Sequence, residues 1–510
     1  MAKKNRSQEH EGDTGEQGPG ISRRGLFIGS GAAAAAVTLG AASPAAAAST
    51  AAAVSTAVTA SGDAPSGSGS TGDLLLVNGR IHLGDAGDTV VSSVRISDGR
   101  FVAIGRDADR SNGGTATRID LRGRTVIPGI IDSHNHIVLV GNRPGYHTLL
   151  EDVFTIPDAV ARLKAQVPNV PAGQFITTIG PISAMQFAER RLPNLTELSA
   201  VNRPVFLEGA QGGVVTNALG KAYFEGKGIA VQADGTLTGS AFGSGAAGQA
   251  LQALRNDFLT DDSRQRTALG ALQYYAGLGI TTHSDEGAFH TDQPSGAIFN
   301  ENKYTMHKPF LALNAAQKLP ARLRIDFAEE DMDPSVPQLT ARLKDSFPFF
   351  GDDMLRTGAI GEWTAGGLTG MGTPVWLQGT RAVAQARWRN ENHSLNQTDF
   401  KAIIDGWVQV NQEFPITDLR WVVAHVPFIT AEYIQKLKAL GGGLKVGWGP
   451  VRTGTLQGPP YRTIVSSGIP TGYHSDGGDI TVINPWLNLY TIVTGKNLQG
   501  DVINAGQTLS

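Results

Sequence analysis

Apolar residues fall into two kinds of block after residue 265. Short apolar runs of strand length alternate with longer stretches in which apolar residues recur at helical spacing. The short runs predict strands at 279–284, 323–327, 355–360, 386–393, 420–425, 444–448 and 472–475. The longer stretches predict helices between them, among others at 264–278, 336–345, 398–413 and 431–440. This alternation is the signature of a parallel α/β fold.

One more strand is predicted earlier in the chain. An apolar run leads from Thr125 to Asp132, and His134 and His136 follow it. With the later strands it makes eight, which predicts a closed barrel whose active site lies at the C-terminal strand ends. Residues i and i+2 of a strand point to the same side, so the two histidines can bind one metal ion together. Two core or surface histidines would give the same short pattern.

The late strands end in side chains that can bind a metal ion. His393 ends the fifth predicted strand, His425 the sixth and Asp476 the eighth. Each could be structural when taken singly, although all of these residue types can bind a metal ion. Cysteine is absent, so the ligands must be His, Asp, Glu or a modified Lys. That ligand set suits a divalent metal such as Zn, with Mn or Fe as alternatives, as one or two ions.

Composition and charge narrow the class of protein. A chain of 510 residues, 41% hydrophobic and 17% charged, can bury a large core, in one big domain plus a small one. The net charge is −3 and no long basic run occurs after residue 24. Nothing therefore favours a nucleic-acid partner, and a small-molecule substrate is expected.

Residues 1–48 have the layout of a twin-arginine signal peptide. Arg23 and Arg24 close a polar segment, and an uncharged Ala/Gly-rich run with small residues at its end follows. This layout predicts export to the periplasm or the extracellular space, with the twin-arginine export machinery as a partner. An anchor helix is the alternative, although an Ala/Gly-rich run makes a poor permanent membrane anchor. Residues 49–72, mostly Ala, Ser, Thr and Gly, predict a disordered tether.

Two further segments complete the domain organisation. Residues 73–124 alternate short apolar runs with Asn-Gly and Asp-Gly turns, which predicts a small all-β module. Residues 125–510 then form the barrel domain. Within it, residues 140–265 are predicted as an insertion over the barrel's top, with a helix at 156–167 and apolar runs at 175–179 and 205–208.

The phrase Pro128-Gly129-x-x-Asp132-x-His134-x-His136 resembles the first barrel strand of the amidohydrolase superfamily. The order of the later strand-end residues is also similar to that family. The resemblance implies a (β/α)8 TIM barrel preceded by a small β-sandwich, here residues 73–124. The insertion is similar to that of the branch containing N-substituted formamide deformylases. That branch often carries a Gly-His pair before an Asn, but the corresponding phrase at 212–217 lacks the histidine.

The resemblance also implies roles for individual residues. His134 and His136 would hold the more buried metal ion, and His393 and His425 the second. Glu362, just after the fourth strand, is the candidate bridging ligand, with an exposed loop glutamate as the alternative. Asp476 would be the metal-site catalytic residue that accepts a proton from the attacking water and passes it to the leaving nitrogen.

Four further histidines and one aspartate receive weaker predictions. His283, Asp285 and His474 are candidate substrate-binding residues, with plain packing as the alternative. His82 and His307 have no motif around them and are expected on the surface.

The sequence thus predicts an exported metal-dependent amidohydrolase that cleaves an amide, N-formyl or cyclic amide bond. Ester hydrolysis or deamination at the same site, or a ligand-binding barrel without catalysis, are the alternatives. By comparison with the family, the chain ends near residue 510 before the strands that would complete the β-sandwich, so a truncated C-terminus is also expected.

Overall fold

The computed structural model describes residues 72–509 apart from 111–115, 179–181, 210–212, 240, 242–244, 288–302, 368, 448–457 and 479–480. The predicted export signal and nearly all of the predicted tether lie outside the described residues. Contacts divide the described chain into two compact units, the first ending at Pro128 and the second being Gly129–Leu509.

The first unit consists of short strands and one helix. They are β1 (Leu74–Val77), β2 (Arg80–His82), β3 (Val90–Val91), β4 (Val94–Ser97), β5 (Arg100–Ile104), α1 (Arg106–Arg110), β6 (Thr117–Asp120) and β7 (Thr125–Val126). One sheet has the order β5-β4-β1-β6 and the other β3-β2-β7. Leu75, Val77 and Ala108 form a small apolar core. The β-sandwich and the truncated C-terminus stay predictions.

The second unit begins with β8 (Ile130–Asn135) and the short helix α2 (Ile137–Gly141), and an inserted segment follows. Its elements are β9 (Tyr146–His147), α3 (Ile156–Gln166), β10 (Ile176–Thr177), α4 (Leu195–Leu198), β11 (Val205–Glu208), β12 (Val214–Thr216), α5 (Ala218–Gly226), β13 (Thr236–Leu237) and α6 (Ala246–Phe258). The strands form one sheet in the order β13-β12-β11-β10-β9. This segment has apolar clusters of its own, which explains why the strand–helix alternation pauses here.

Strand–helix alternation returns with α7 and continues through seven more barrel strands. The elements are α7 (Asp261–Gly277), β14 (Ile280–Asp285), α8 (Lys303–Ala315), β15 (Arg322–Phe327), α9 (Pro337–Asp345), β16 (Leu355–Ile360), α10 (Pro374–Gln385), β17 (Glu391–Ser394), α11 (Gln397–Glu413), β18 (Val422–His425), α12 (Ala431–Ala439), β19 (Gly443–Val446), α13 (Tyr461–Ser467), β20 (Thr471–Tyr473) and α14 (Pro485–Thr494).

The eight barrel strands, β8 and β14 to β20, close on themselves. Two parallel runs, β8-β14-β15-β16 and β17-β18-β19-β20, meet where Ile360 pairs with Asn390. On the other side, the Ser133 hydroxyl donates to the Tyr473 carbonyl at 2.8 Å. The Asp476 amide donates to the His134 carbonyl at 3.0 Å. The predicted α/β barrel is therefore observed, and its C-terminal strand ends share one face.

The predicted fifth strand, 386–393, begins too early. Helix α10 continues to Gln385, Ala386 caps it, and the strand starts only at Glu391. Trp388 is fully buried, but it lies in the connection between helix α10 and β17, where its amide donates to the Val383 carbonyl at 3.1 Å. An apolar run alone cannot separate these two environments, because both bury the same side chain.

Helix α11 shows why the longer stretches become helices. The Asn396 side chain accepts from the Asp399 amide, and the Asp399 side chain accepts from the Asn396 amide, a reciprocal capping box. The buried side chains recur at helical spacing, namely Phe400, Ile403, Ile404, Trp407 and Val410. No helix among the described residues is both long enough and apolar enough to cross a membrane.

Candidate metal centre

The end of β8 delivers two imidazoles to one point. His134 and His136 alternate with Asn135 along the strand, so they face the same side, while the Asn135 amide lies 3.1 Å from His283 Nδ1. Both rings are buried, at 0% and 2% exposure. Their Nε2 atoms each lie 3.4 Å from Asp476 Oδ1.

Glu362, in the segment that follows β16, lies among four histidines. Its Oε1 is 2.8 Å from His393 Nδ1, 3.2 Å from His425 Nε2 and 3.7 Å from His134 Nε2. Its Oε2 is 3.6 Å from His136 Nε2. The side chain is 5% exposed, so the alternative of an exposed loop glutamate is wrong. Whether it bridges two ions stays a prediction.

Two ends of barrel strands at the centre carry unusual backbone angles. His425, at the end of β18, has φ 66°, and Asp476, after β20, has φ 55°. Both lie in the left-handed region that residues other than glycine seldom adopt. Such conformations persist where the surroundings over-determine them, and they cluster at functional sites.

Asp476 is held in position by a buried hydrogen-bonded pair, Ser475 and Asp132. The Ser475 amide donates to Asp132 Oδ1 at 2.9 Å, and the Ser475 hydroxyl donates to Asp132 Oδ2 at 2.5 Å. Asp132 belongs to β8, so this contact ties the last barrel strand to the first. It thereby holds Asp476 opposite His134 and His136.

The carboxylates and imidazoles of the centre shift one another's pKa values. Burial opposes ionisation of Glu362, but His393 and His425 hold the pKa of its carboxyl well below the ordinary value. Burial likewise opposes charge on His136, but Asp476 and Glu362 raise its pKa to about 9. The centre thus has the charge pattern of a cation site, in which a metal ion would take the place of the imidazole protons.

The donor set fits a divalent metal. The ligand atoms of His134, Glu362 and His425 lie within 4.8 Å of one another, and so do those of His134, His136 and Asp476. Within the described residues, His134 Nε2 and His425 Nδ1 are buried and have no hydrogen-bond partner. Buried nitrogen atoms are normally satisfied. Here the two unsatisfied nitrogen atoms face the carboxylates of Glu362 and Asp476, and a metal ion would complete this arrangement.

His474 is brought beside the centre. Its ring centroid lies 4.7 Å from that of His134 and 4.9 Å from that of His425. Neither of its ring nitrogens has a hydrogen-bond partner in the part of the chain that the structure describes. Its role as a substrate-binding residue stays a prediction.

The side chains of His283 and Asp285 contact the elements around the barrel, and their role as substrate-binding residues stays a prediction. The ring of His283 faces Tyr275 on α7, and its Nδ1 contacts the Asn135 amide. Asp285 accepts from the Val138 amide at 3.0 Å, and its other oxygen is 2.9 Å from His307 Nε2. Both side chains are completely buried, because their positions on β14 face the helices around the barrel.

His82 and His307 are also buried, at 6% and 8% exposure, so their predicted surface location is wrong. His307 reaches Asp285 from α8, and His82 Nδ1 lies 3.6 Å from Asp88. Asn217, at the end of the phrase that lacks a histidine, caps α5 by accepting from the Gly220 amide.

Sequence reasoning missed a set of charged residues inside the barrel. Lys445 on β19 contacts Glu286 and Glu391, and Glu391 Oε1 lies 2.9 Å from His134 Nδ1. Lys445 Nζ is also 3.6 Å from Asp326. One signal could have found Glu391, because it stands two residues before His393 and therefore points to the same side of β17.

Comparisons with known proteins agree with this architecture. The model of the family described as "Amidohydrolase family" matches residues 117–510. The N-substituted formamide deformylase of Arthrobacter pascens is 29% identical over 140 residues, which cover 26% of this chain and 26% of the deformylase. The matched segment therefore spans about a quarter of that relative.

Two solved structures share the fold at low sequence identity. An uncharacterised metal-dependent hydrolase from Pyrococcus furiosus matches with a TM-score of 0.54 and 16% identity, over 86% of this chain and 91% of that chain. A second one, from Pyrococcus horikoshii OT3, matches with a TM-score of 0.52 and 17% identity, over 83% and 87%.

Proposed function

The chain belongs to the Amidohydrolase family of hydrolases, and we propose that it is a metal-dependent enzyme that cleaves a non-peptide carbon–nitrogen bond in a small molecule. The observation that carries the proposal is the convergence of four histidines on Glu362 and Asp476 at the ends of five barrel strands. The C-terminal strand ends are where barrel enzymes place their chemistry.

The residues that would hold the metal divide into two groups. His134 and His136 share contacts with Asp476, while His393 and His425 share contacts with Glu362. When bound, a divalent ion, zinc by preference, supplies a Lewis acid that activates water and polarises the scissile carbonyl. Glu362 contacts all four imidazoles, so it is the residue that would be shared between two ions if two bind.

Asp476 is the residue that would move the proton. Its carboxylate faces His134 and His136, and the three imidazoles around it keep its pKa well below the ordinary value despite its burial. A charged carboxylate at this point accepts a proton from the attacking water and delivers it to the leaving nitrogen. The amine then leaves neutral and the acyl product retains the new oxygen.

The substrate class follows from chemistry and from one relative. An amide, an N-formyl group or a cyclic amide each offers a carbonyl carbon attached to a nitrogen leaving group. The matching deformylase, by its name, acts on N-substituted formamides. We therefore place N-formyl compounds first and other small amides second.

We also propose that the enzyme is exported by the twin-arginine pathway. The support is the layout of residues 1–48, where Arg23 and Arg24 precede an uncharged Ala/Gly-rich run. This pathway carries folded proteins, which suits an enzyme that acquires its metal ion before export.

One experiment tests the proposed activity. The purified chain is loaded with zinc, freed of excess metal and incubated with N-formyl and N-acyl amines, and amine release is measured. Chelator should abolish turnover and added zinc should restore it. Metal binding without turnover on any amide would favour a ligand-binding barrel, and full activity of metal-free protein would contradict the mechanism.

A further inference from the structure

Lys445 lies inside the barrel among three buried carboxylates that the proposed mechanism does not use. Its Nζ is 2.7 Å from Glu286 Oε1 and 3.6 Å from Asp326 Oδ2, and it is in direct contact with Glu391 Oε2. Glu286 and Glu391 are both completely buried, and Asp326 is 2% exposed. The interiors of such barrels are usually filled by branched apolar side chains, so a charged layer here needs a reason.

Glu391 connects this layer to the metal centre. Its Oε2 is held by Lys445, and its Oε1 lies 2.9 Å from His134 Nδ1. The opposite nitrogen of the same ring, Nε2, points to Asp476 at 3.4 Å and to Glu362 at 3.7 Å. A hydrogen bond from Nδ1 to a carboxylate selects the tautomer in which Nε2 carries the lone pair. That is the tautomer a metal ion needs on this side.

Stability does not explain the layer. Taking an ammonium and several carboxylates out of water is costly, and well-packed apolar residues of similar volume would often stabilise the barrel as much or more. Two of the three carboxylates also approach the same imidazole, since Glu391 Oε1 lies 2.9 Å and Glu286 Oε1 3.6 Å from His134 Nδ1. A role in orienting His134 accounts both for the buried charges and for their position beside its ring.

We propose that Lys445 and Glu391 are positioning residues for His134. Lys445 holds one oxygen of Glu391, so the other oxygen stays on His134 Nδ1–H and fixes the ring with Nε2 toward the metal. The inference rests on the proposed function, since it assumes that His134 binds a metal ion. It assigns Lys445 and Glu391 to metal affinity rather than to substrate contact.

The test measures zinc affinity of the full purified chain by competition with a chromophoric chelator, together with kcat and KM. Glu391→Gln should weaken zinc binding by about 10–100-fold, the range typical for residues that orient a metal-binding histidine. Lys445→Met should weaken it in the same direction. Lys445→Arg keeps the charge and should recover most of the affinity, which a purely packing role would not predict.

Asp326→Asn is the matched control, because it removes one negative charge from the same layer. Asp326 contacts Lys445, and the structure records no contact between it and His134 among the described residues. It should change zinc affinity by less than about threefold. An equal loss in Asp326→Asn and Glu391→Gln would overturn the proposal, since the effect would then be one of interior charge in general.

The remaining outcomes separate this proposal from the proposed function. Wild-type zinc affinity in Glu391→Gln and Lys445→Met would overturn the positioning role alone. A wild-type chain that binds no zinc would overturn the metal mechanism and the positioning role with it. If Glu391→Gln does not fold by circular dichroism, the comparison of Lys445→Met with Lys445→Arg decides the matter, because both leave Glu391 in place.

Discussion

His134 and Asp476 are joined twice, once through the backbone and once through their side chains. The Asp476 amide donates to the His134 carbonyl at 3.0 Å, and Asp476 Oδ1 lies 3.4 Å from His134 Nε2. The first contact closes the barrel between its first and last strands, and the second brings a carboxylate to the metal centre. The same pair of residues therefore closes the barrel and brings a carboxylate beside an imidazole of the centre.

Asp476→Asn should keep most of the bound metal and lower kcat by about 10²–10⁴-fold. The imidazoles remain, but the amide cannot accept the proton of the attacking water. Elemental analysis and amine release measure the two effects separately. His134→Ala should instead lose tight metal binding, and Asp262→Asn, on an exposed turn of α7, should change neither quantity. Full turnover in Asp476→Asn would remove the proton-transfer role.

Glu362→Gln should reduce the metal content from about two ions per chain to one or fewer, and turnover should fall with it. The substitution keeps the shape of the side chain but removes the charge that two close dications require between them. Elemental analysis of the purified variant measures the stoichiometry. Glu432→Gln, at an exposed position on α12, is the control. Unchanged stoichiometry in Glu362→Gln would leave the bridge unassigned.

Glu151 should make the stability of the protein fall as pH rises. The carboxyl is buried and accepts from the Tyr275 hydroxyl at 2.9 Å, and burial raises its pKa to about 8 from an ordinary value of 4.5. Because the folded state binds this proton more tightly than the unfolded state, the group's contribution is complete below pH 4.5 and is lost as pH rises toward 8. The loss is on the order of a few kcal/mol.

Glu151→Gln removes this titration and isolates its contribution. Relative to wild type, the variant should be more stable at pH 8 to 9 and no more stable at pH 4. Denaturant unfolding at several pH values gives the difference in the free energy of unfolding. A difference that does not vary with pH would show that Glu151 does not titrate in this window.

Arg23→Lys combined with Arg24→Lys should hold the protein in the cytoplasm, unprocessed. The pathway recognises the arginine pair, and lysine keeps the charge but not the guanidinium. Fractionation of the cells and the mass of the protein in each fraction give the answer. Substituting Lys3 and Lys4 by arginine serves as a control that leaves the pair intact. Normal export of the double variant would replace the twin-arginine assignment with a general secretory signal or an anchor.

Much of the barrel could be predicted because its signals are local. The strand predicted at 355–360 is observed as Leu355–Ile360, and the helix predicted at 398–413 as Gln397–Glu413. Burial of a strand or of one helix face leaves a pattern in neighbouring residues. The predicted bounds of an element were wrong where one apolar run continued from a helix into a strand, as at Ala386 and Trp388.

The side chains of β14 show a different limit. Alternation along a strand is visible in the sequence, but the sequence does not say which set of positions faces the barrel interior. The interior set is Ser284 and Glu286, both of which contact Lys445. His283 and Asp285 belong to the other set, so their side chains contact the helices around the barrel.

The sequence by itself determined the strand order, the pair of histidines on β8 and the strand-end positions of His393, His425 and Asp476. All of these depend on spacing within a few residues. Only the tertiary structure decided which groups meet, such as Glu391 with His134, which are 257 residues apart in the chain. Such contacts follow from closing eight strands in one register, and that register places side chains from distant segments at the same height in the barrel.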